Sequence, residues 1–210
     1  MMSRVSALGD TALLAPASLA LFLYLLAIRR WAEARGFAAA LAVGIGATLG
    51  SKLLFKACGG AIDLMNLNSP SGHASFATLF YGSLALMLAS RRSRPTVTSL
   101  WVATILLVIA IGVSRVFQEA HSWPEVILGW LIGVSGLAVF LWLRRPAEPA
   151  PLSPVPLAVG LALAIALLGG RHFTAERYLD RIARAASTSF DICQNPRLTA
   201  LEARTPIVPR

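Results

Sequence analysis

Uncharged apolar runs alternate with short polar connections along most of this chain. Six runs stand out: Thr11 to Ile28, Phe37 to Phe55, His73 to Ala89, Ser99 to Val113, Val126 to Leu143 and Val155 to Gly169. Each approaches the roughly 20 residues an α-helix needs to cross a hydrocarbon core about 30 Å thick. Backbone immersed in lipid must satisfy its own hydrogen bonds, which selects helices over open strands. The pattern predicts an all-α, polytopic membrane helical bundle with about six transmembrane helices. The fourth and sixth runs are short and require tilt, shielding or an extra turn. Only Arg4 precedes the first run, and Arg29 and Arg30 follow it in place of a small-residue cleavage site, so it reads as a retained helix and not a secretion signal.

Composition agrees: 56% hydrophobic and 14% charged residues over a length of 210 leave too little polar surface for a soluble domain. A net charge of +9 would point a soluble protein toward nucleic acid. Here the basic residues sit between spans and in the tail, which marks topology and anionic lipid, with no nucleic-acid partner and no obligatory protein partner expected. Arg29, Arg30 and Arg35, then Arg91, Arg92 and Arg94, then Arg144 and Arg145 follow alternate spans and read as cytoplasmic. The N-terminus, the connections from Lys56 to Gly72 and from Arg115 to Pro124, and the tail from Arg171 then share the other face. In a bacterial inner membrane that face is periplasmic. Residues 1–170 read as the membrane domain, with a proline-rich linker from Ala147 to Pro156. Residues 171–210 read as a basic tail in which Thr174 to Ala186 fits an interfacial helix. His172 reads as interfacial. The two cysteines, Cys58 and Cys193, exclude a disulfide framework, and whether they pair or stand apart is open.

Chemistry concentrates at two places on the predicted periplasmic face. Ser69, Pro70, Ser71, Gly72 and His73 stand just before a span. Ser69 is expected to cap that helix and Pro70 to open it, leaving amides near Ser71 and Gly72 free for a phosphate. Gly72 lets a phosphate oxygen approach its backbone. The second place runs from Ser114 to Glu125, where Arg115 offers a planar cationic fork and Glu125, in the first turn of the next helix, can reach back to His121. A carboxylate on one ring nitrogen fixes the tautomer and leaves the other nitrogen to attack phosphorus, while His73 has the acidity to protonate the leaving oxygen.

On these residues the chain resembles the type 2 phosphatidic acid phosphatase family, whose signature is a lysine stretch, then PSGH, then SR followed by histidine and an acidic residue four positions later. The resemblance covers about Lys52 to Leu143. It implies His121 as nucleophile, His73 as general acid and Glu125 as orienting carboxylate, with Lys52, Ser71, Gly72 and Arg115 holding the phosphate, a lipid phosphate as substrate, and no metal ion or other cofactor. Two positions depart from the family pattern. Gly59 and Gly60 stand where the first motif has arginine and proline, and Lys56, one turn beyond Lys52, is expected to supply the second charge. Glu125 stands where aspartate is commoner. Lys52 and Lys56 are the only lysines in the chain.

Each feature also has a plain explanation: Ser122 and Glu125 make a capping box, Arg115 suits a helix C-terminus, and either histidine can be an interfacial polar group. Their joint spacing favours chemistry. The expected activity is hydrolysis of a lipid phosphomonoester or pyrophosphate, with undecaprenyl pyrophosphate or a similar envelope lipid preferred. A lipid phosphotransferase would use the same site, and a catalytically silent protein binding anionic lipid is the alternative from a different class.

Overall fold

The computed structural model describes residues 2–58, 69–90 and 92–144, and beyond them only residues 152, 158, 159, 162 and 166. The described residues form six α-helices and no strand: α1 (Met2–Ala7), α2 (Thr11–Ala27), α3 (Trp31–Cys58), α4 (Gly72–Leu88), α5 (Arg94–Phe117) and α6 (Trp123–Leu143). Four stretches, Met2–Ala27, Trp31–Phe55, Arg94–Phe117 and Trp123–Leu143, are long and apolar enough to cross a membrane, and Gly72–Leu88 is a shorter apolar helix. The first five predicted spans are therefore present as helices. The sixth lies almost wholly outside the described residues, as do the linker, the tail with His172 and Cys193, and the side chains of Lys56 and Cys58.

Helices α3, α5 and α6 are longer than the apolar runs that announced them. The fourth run, short on hydropathy alone, is the core of a helix of 24 residues, because Ser93 at its N-cap, with Pro95 in its first turn, sets its start and Gln118 sets its end. Helix ends follow capping chemistry more closely than hydropathy. The expected cap of α4 is also corrected. Ser71, and not Ser69, is the N-cap, its side chain accepting from Ala74 N at 3.5 Å, and Gly72 opens the helix. Ser69 is held in the lead-in because its amide donates to Glu125.

Helix α4 sits at the centre of the bundle, buried along Ala74, Ser75, Ala77, Thr78, Leu79 and Phe80 and again at Ala85 and Met87. A helix surrounded by protein need not match the lipid thickness, so 17 residues suffice for it. Its most extensive packing is with α6, and α6 packs next most extensively with α3. Small residues make this possible. A Cβ on Gly129 would lie 2.5 Å from the Ser71 carbonyl oxygen, and one on Gly133 would lie 2.5 Å from Thr78 Cβ and 2.6 Å from the Ser75 carbonyl oxygen. Lipid offers no hydrophobic drive for helices to associate, so close backbone approach and dispersion hold such a pair. In contrast, α5 exposes Val102, Ile105, Leu106 and Ile109, as a lipid-facing helix should.

The two ends of the bundle differ in charge. Arg29, Arg30, Arg35, Arg92, Arg94 and Arg144 collect at the end where α2, α4 and α6 finish. There the buried Glu33 pairs with Arg30 and lies 3.7 Å from Arg144, whose guanidinium also reaches Ser90 Oγ at 2.6 Å and the Leu86 carbonyl at 3.2 Å. Asp10, Lys52, His73, Arg115 and His121 lie at the other end.

The glycine contacts give a direct test. Gly129→Ala and Gly133→Ala must push α4 and α6 apart and are expected to cost about 1–3 kcal/mol each, read as a lower melting temperature in detergent. Gly46 and Gly50, with nothing within 4 Å of an added Cβ, are controls in the same fold, and alanine there should be neutral or stabilising by up to about 1 kcal/mol.

Candidate active site

Glu125 is 4% exposed and carries a charge, so its position requires donors. It has them. Oε2 accepts from His121 Nδ1 at 2.9 Å and from the Ser122 amide at 3.0 Å, and Oε1 accepts from the Ser69 amide at 2.9 Å. Its backbone carbonyl accepts from the Ser71 amide at 2.9 Å. One residue thus completes the capping box of α6, orients the histidine and fastens the segment leading into α4. An ionised carboxylate only accepts, so Nδ1 of His121 carries the proton and Nε2 keeps its lone pair.

The turn that places His121 is wound on Arg115. Helix α5 ends at Phe117, Glu119 takes a left-handed conformation with φ 53°, and the amides of Ala120 and His121 both return to the Arg115 carbonyl at 3.1 and 3.3 Å. The Arg115 guanidinium is steadied from a different direction, Nη1 donating to Ser6 Oγ of α1 at 2.9 Å. The backbone and side chain of Arg115 therefore position the His121 ring and the cation together.

Lys52, Gly72, His73, Arg115 and His121 line one cavity of about 750 Å³. The structure thus brings together residues from α3, the start of α4, the end of α5 and the α5–α6 turn. Glu125 stands behind His121 rather than in the cavity. Ser71 is fully buried, its amide held by the Glu125 carbonyl and its hydroxyl by Ala74, and it does not line the cavity wall. Asp10, absent from the predicted set, does: its Oδ2 is 4.0 Å from His73 Nε2. Its sequence signal was an acidic helix-capping residue directly before the first span. Below this polar end the cavity becomes a groove between Leu19 and Phe22 of α2 and Leu41, Ile45 and Leu49 of α3, with Phe76 and Leu79 of α4 at its back. From Thr11 to Phe22 the groove extends roughly 17 Å at about 1.5 Å per residue, or half a hydrocarbon core.

Against known proteins, the profile of the PAP2 superfamily matches residues 52–149, which contain both histidine motifs. The chain belongs to the PAP2 superfamily. It is 31% identical over 143 residues, 67% of its length and 68% of the relative's, to an uncharacterized 22.5 kDa protein in the cps region of Klebsiella pneumoniae. It is 33% identical over 106 residues to lipid phosphate phosphatase 2 of Arabidopsis thaliana, covering 46% of this chain and 36% of that one. A PA-phosphatase related-family protein of Dictyostelium discoideum is 35% identical over 71 residues, 31% of this chain and 19% of that one. No solved structure matches. Membership of the PAP2 superfamily supports a phosphatase of lipid phosphates in a multi-pass membrane protein. Asp10, Ser6 and the α2 wall of the groove lie outside the PAP2 match.

Electrostatics suit a nucleophile. Burial is the largest influence on His121 and lowers its pKa, the bond and charge of Glu125 oppose this, and the cations Lys52 and Arg115 lower it further; the net result is below the ordinary 6.5. The ring is neutral at neutral pH, with Nε2 unprotonated. Loss of activity owed to protonating His121 should therefore have its midpoint below pH 6.5 as pH falls. Glu125→Gln removes the carboxylate charge that raises that pKa, so it should move this acid limb to still lower pH. It should also cut kcat by about a hundredfold or more, since the carboxamide no longer enforces the tautomer. A pH profile of the variant checks both signs.

Proposed function

We propose that this PAP2 protein hydrolyses a lipid phosphate through a phosphohistidine on His121, with His73 as general acid and then general base. The observation that carries this reading is a single cavity that joins His121, His73, Lys52 and Arg115 at a membrane face to an apolar groove reaching about halfway into the bilayer. Lys52, Arg115 and the amides opening α4 at Gly72 cradle the phosphoryl oxygens, and preorganised charge of this kind is the main catalytic resource in phosphoryl transfer. Lys56 is proposed as a further cation in place of the first-motif arginine, and Ser71 as the residue that holds the cradle's backbone in place. Nε2 of His121 attacks phosphorus as the bond to the leaving oxygen breaks, and His73 gives that oxygen its proton. Water then attacks the phosphohistidine and yields a proton to His73 while the Nε2–P bond breaks. Inorganic phosphate leaves and both rings return to their starting states. These side chains complete the cycle with no metal ion in any step.

The groove adds little hydrophobic affinity, because a lipid chain leaving the bilayer for it exchanges one apolar surrounding for another. Its contribution is to set the depth and direction at which the phosphate arrives. The arginine-rich end is proposed to be cytoplasmic and the site periplasmic in a bacterial inner membrane. A periplasmic site meets isoprenoid pyrophosphate carriers that must be recycled there, so undecaprenyl pyrophosphate or a similar envelope lipid is the preferred substrate.

Purified protein in detergent should release phosphate from a panel holding undecaprenyl pyrophosphate, phosphatidylglycerol phosphate and phosphatidic acid, and His121→Ala should release none. Equal turnover by that variant would remove the proposed nucleophile. For sidedness, in a Cys58→Ser, Cys193→Ser background, Gln118→Cys should react with a membrane-impermeant maleimide added outside spheroplasts and Arg92→Cys should not. The reverse pattern would invert the topology.

A further inference from the structure

Asp10 is the only acidic side chain among the described residues lining the cavity, an unexpected charge in a place that receives an anion. Its orientation is fixed. Oδ1 accepts from the Ala12 amide at 2.9 Å as the N-cap of α2, which turns Oδ2 toward His73 Nε2 at 4.0 Å. The corner that carries it is held by two other helices. Tyr81 Oη of α4 donates to the Leu8 carbonyl at 2.9 Å, and Gly9 packs so closely that an added Cβ would lie 2.6 Å from Ile111 Cγ2 of α5 and 3.4 Å from His73 Cβ. The side chain of Asp10 is 43% exposed, so water reaches it.

A separation of 4.0 Å is too long for a hydrogen bond, yet one oxygen atom fits between the two groups at about 2.8 Å from each. We propose that Asp10 is a further catalytic residue: with His73 it holds the water that hydrolyses the phosphohistidine, and it selects water over a lipid alcohol. The inference rests on the phosphohistidine reading given above. After the first step His73 has given up its proton and Nε2 accepts. An ionised Asp10 also accepts. A water molecule has two hydrogens, one for each acceptor, and presents its lone pair to phosphorus. As the new P–O bond forms and the Nε2–P bond of His121 breaks, one proton passes to His73, and the other stays on oxygen, bonded to Asp10. An alcohol has a single hydrogen and leaves one acceptor facing an oxygen lone pair. That mismatch disfavours transfer to another lipid.

The test is a ratio. Asp10→Asn keeps the N-cap, since asparagine caps as well as aspartate. With its Oδ1 on Ala12, its amide NH₂ replaces the acceptor facing His73 by a donor. Full-length wild type and variant are given dioctanoyl phosphatidic acid with 1-butanol, and butyl phosphate is measured against inorganic phosphate. The butyl phosphate to phosphate ratio should rise about tenfold or more in the variant, the size expected for losing a hydrogen bond to a charged group. A general loss of structure would lower both products and leave the ratio where it was. An unchanged ratio overturns the proposal however far turnover falls. Exchange of ¹⁸O from water into inorganic phosphate by the wild type tests the underlying reading separately. With exchange present and butyl phosphate absent from both proteins, only the role of Asp10 falls; with neither exchange nor butyl phosphate, the phosphohistidine reading falls with it.

Discussion

A buried carboxylate with three donors organises this molecule. Glu125 would be untenable at 4% exposure without the His121 ring, the Ser122 amide and the Ser69 amide around it. Its consequences run in two directions. Toward the site, it fixes the ring nitrogen that carries the proton. Toward the fold, it draws the segment before α4 against the start of α6, and its own carbonyl secures Ser71. From there α4 and α6 continue down the bilayer in contact across Gly129 and Gly133. The orientation of the His121 ring and the central helix pair share one anchor, and a helix slip at either would disturb both.

Much of this was legible along the chain. Apolar runs located five helices, and the stretch from Arg115 through His121 to Glu125 announced a helix end and a capped helix start, though not the left-handed turn at Glu119 between them. Local units survive translation into structure because their contacts are close in sequence. The cap of α4 was not legible in the same way. Ser69 and Ser71 are equally good capping residues on paper, and the choice falls to a contact with Glu125 across 56 positions. Asp10 shows the same limit. Its capping role is local, but its nearness to His73 depends on how the α1–α2 corner lies on α4 and α5.

Ser71 shows a subtler difference between motif and geometry. A motif read as phosphate-binding includes it, and as N-cap it sets the start of α4 at Gly72. Its own polar atoms, however, are turned inward to Glu125 and Ala74. A residue can belong to a binding motif by shaping the backbone while its neighbour Gly72 faces the cavity. The arginines at the opposite end act at a similar remove: Arg144 and Glu33 clamp α3, α4 and α6 together far from the site, leaving the polar end to be arranged for charge.

The groove between α2 and α3 meets the polar pocket at the end of the bundle that carries Lys52, Arg115 and both histidines. A substrate cut at that junction yields two fragments with opposite solubilities. The anion departs into the aqueous phase and dilutes, while the chain-bearing fragment stays dissolved in the membrane. Once parted, the fragments rarely meet again at one site, so the partition between phases drives the reaction forward without any energy source of its own.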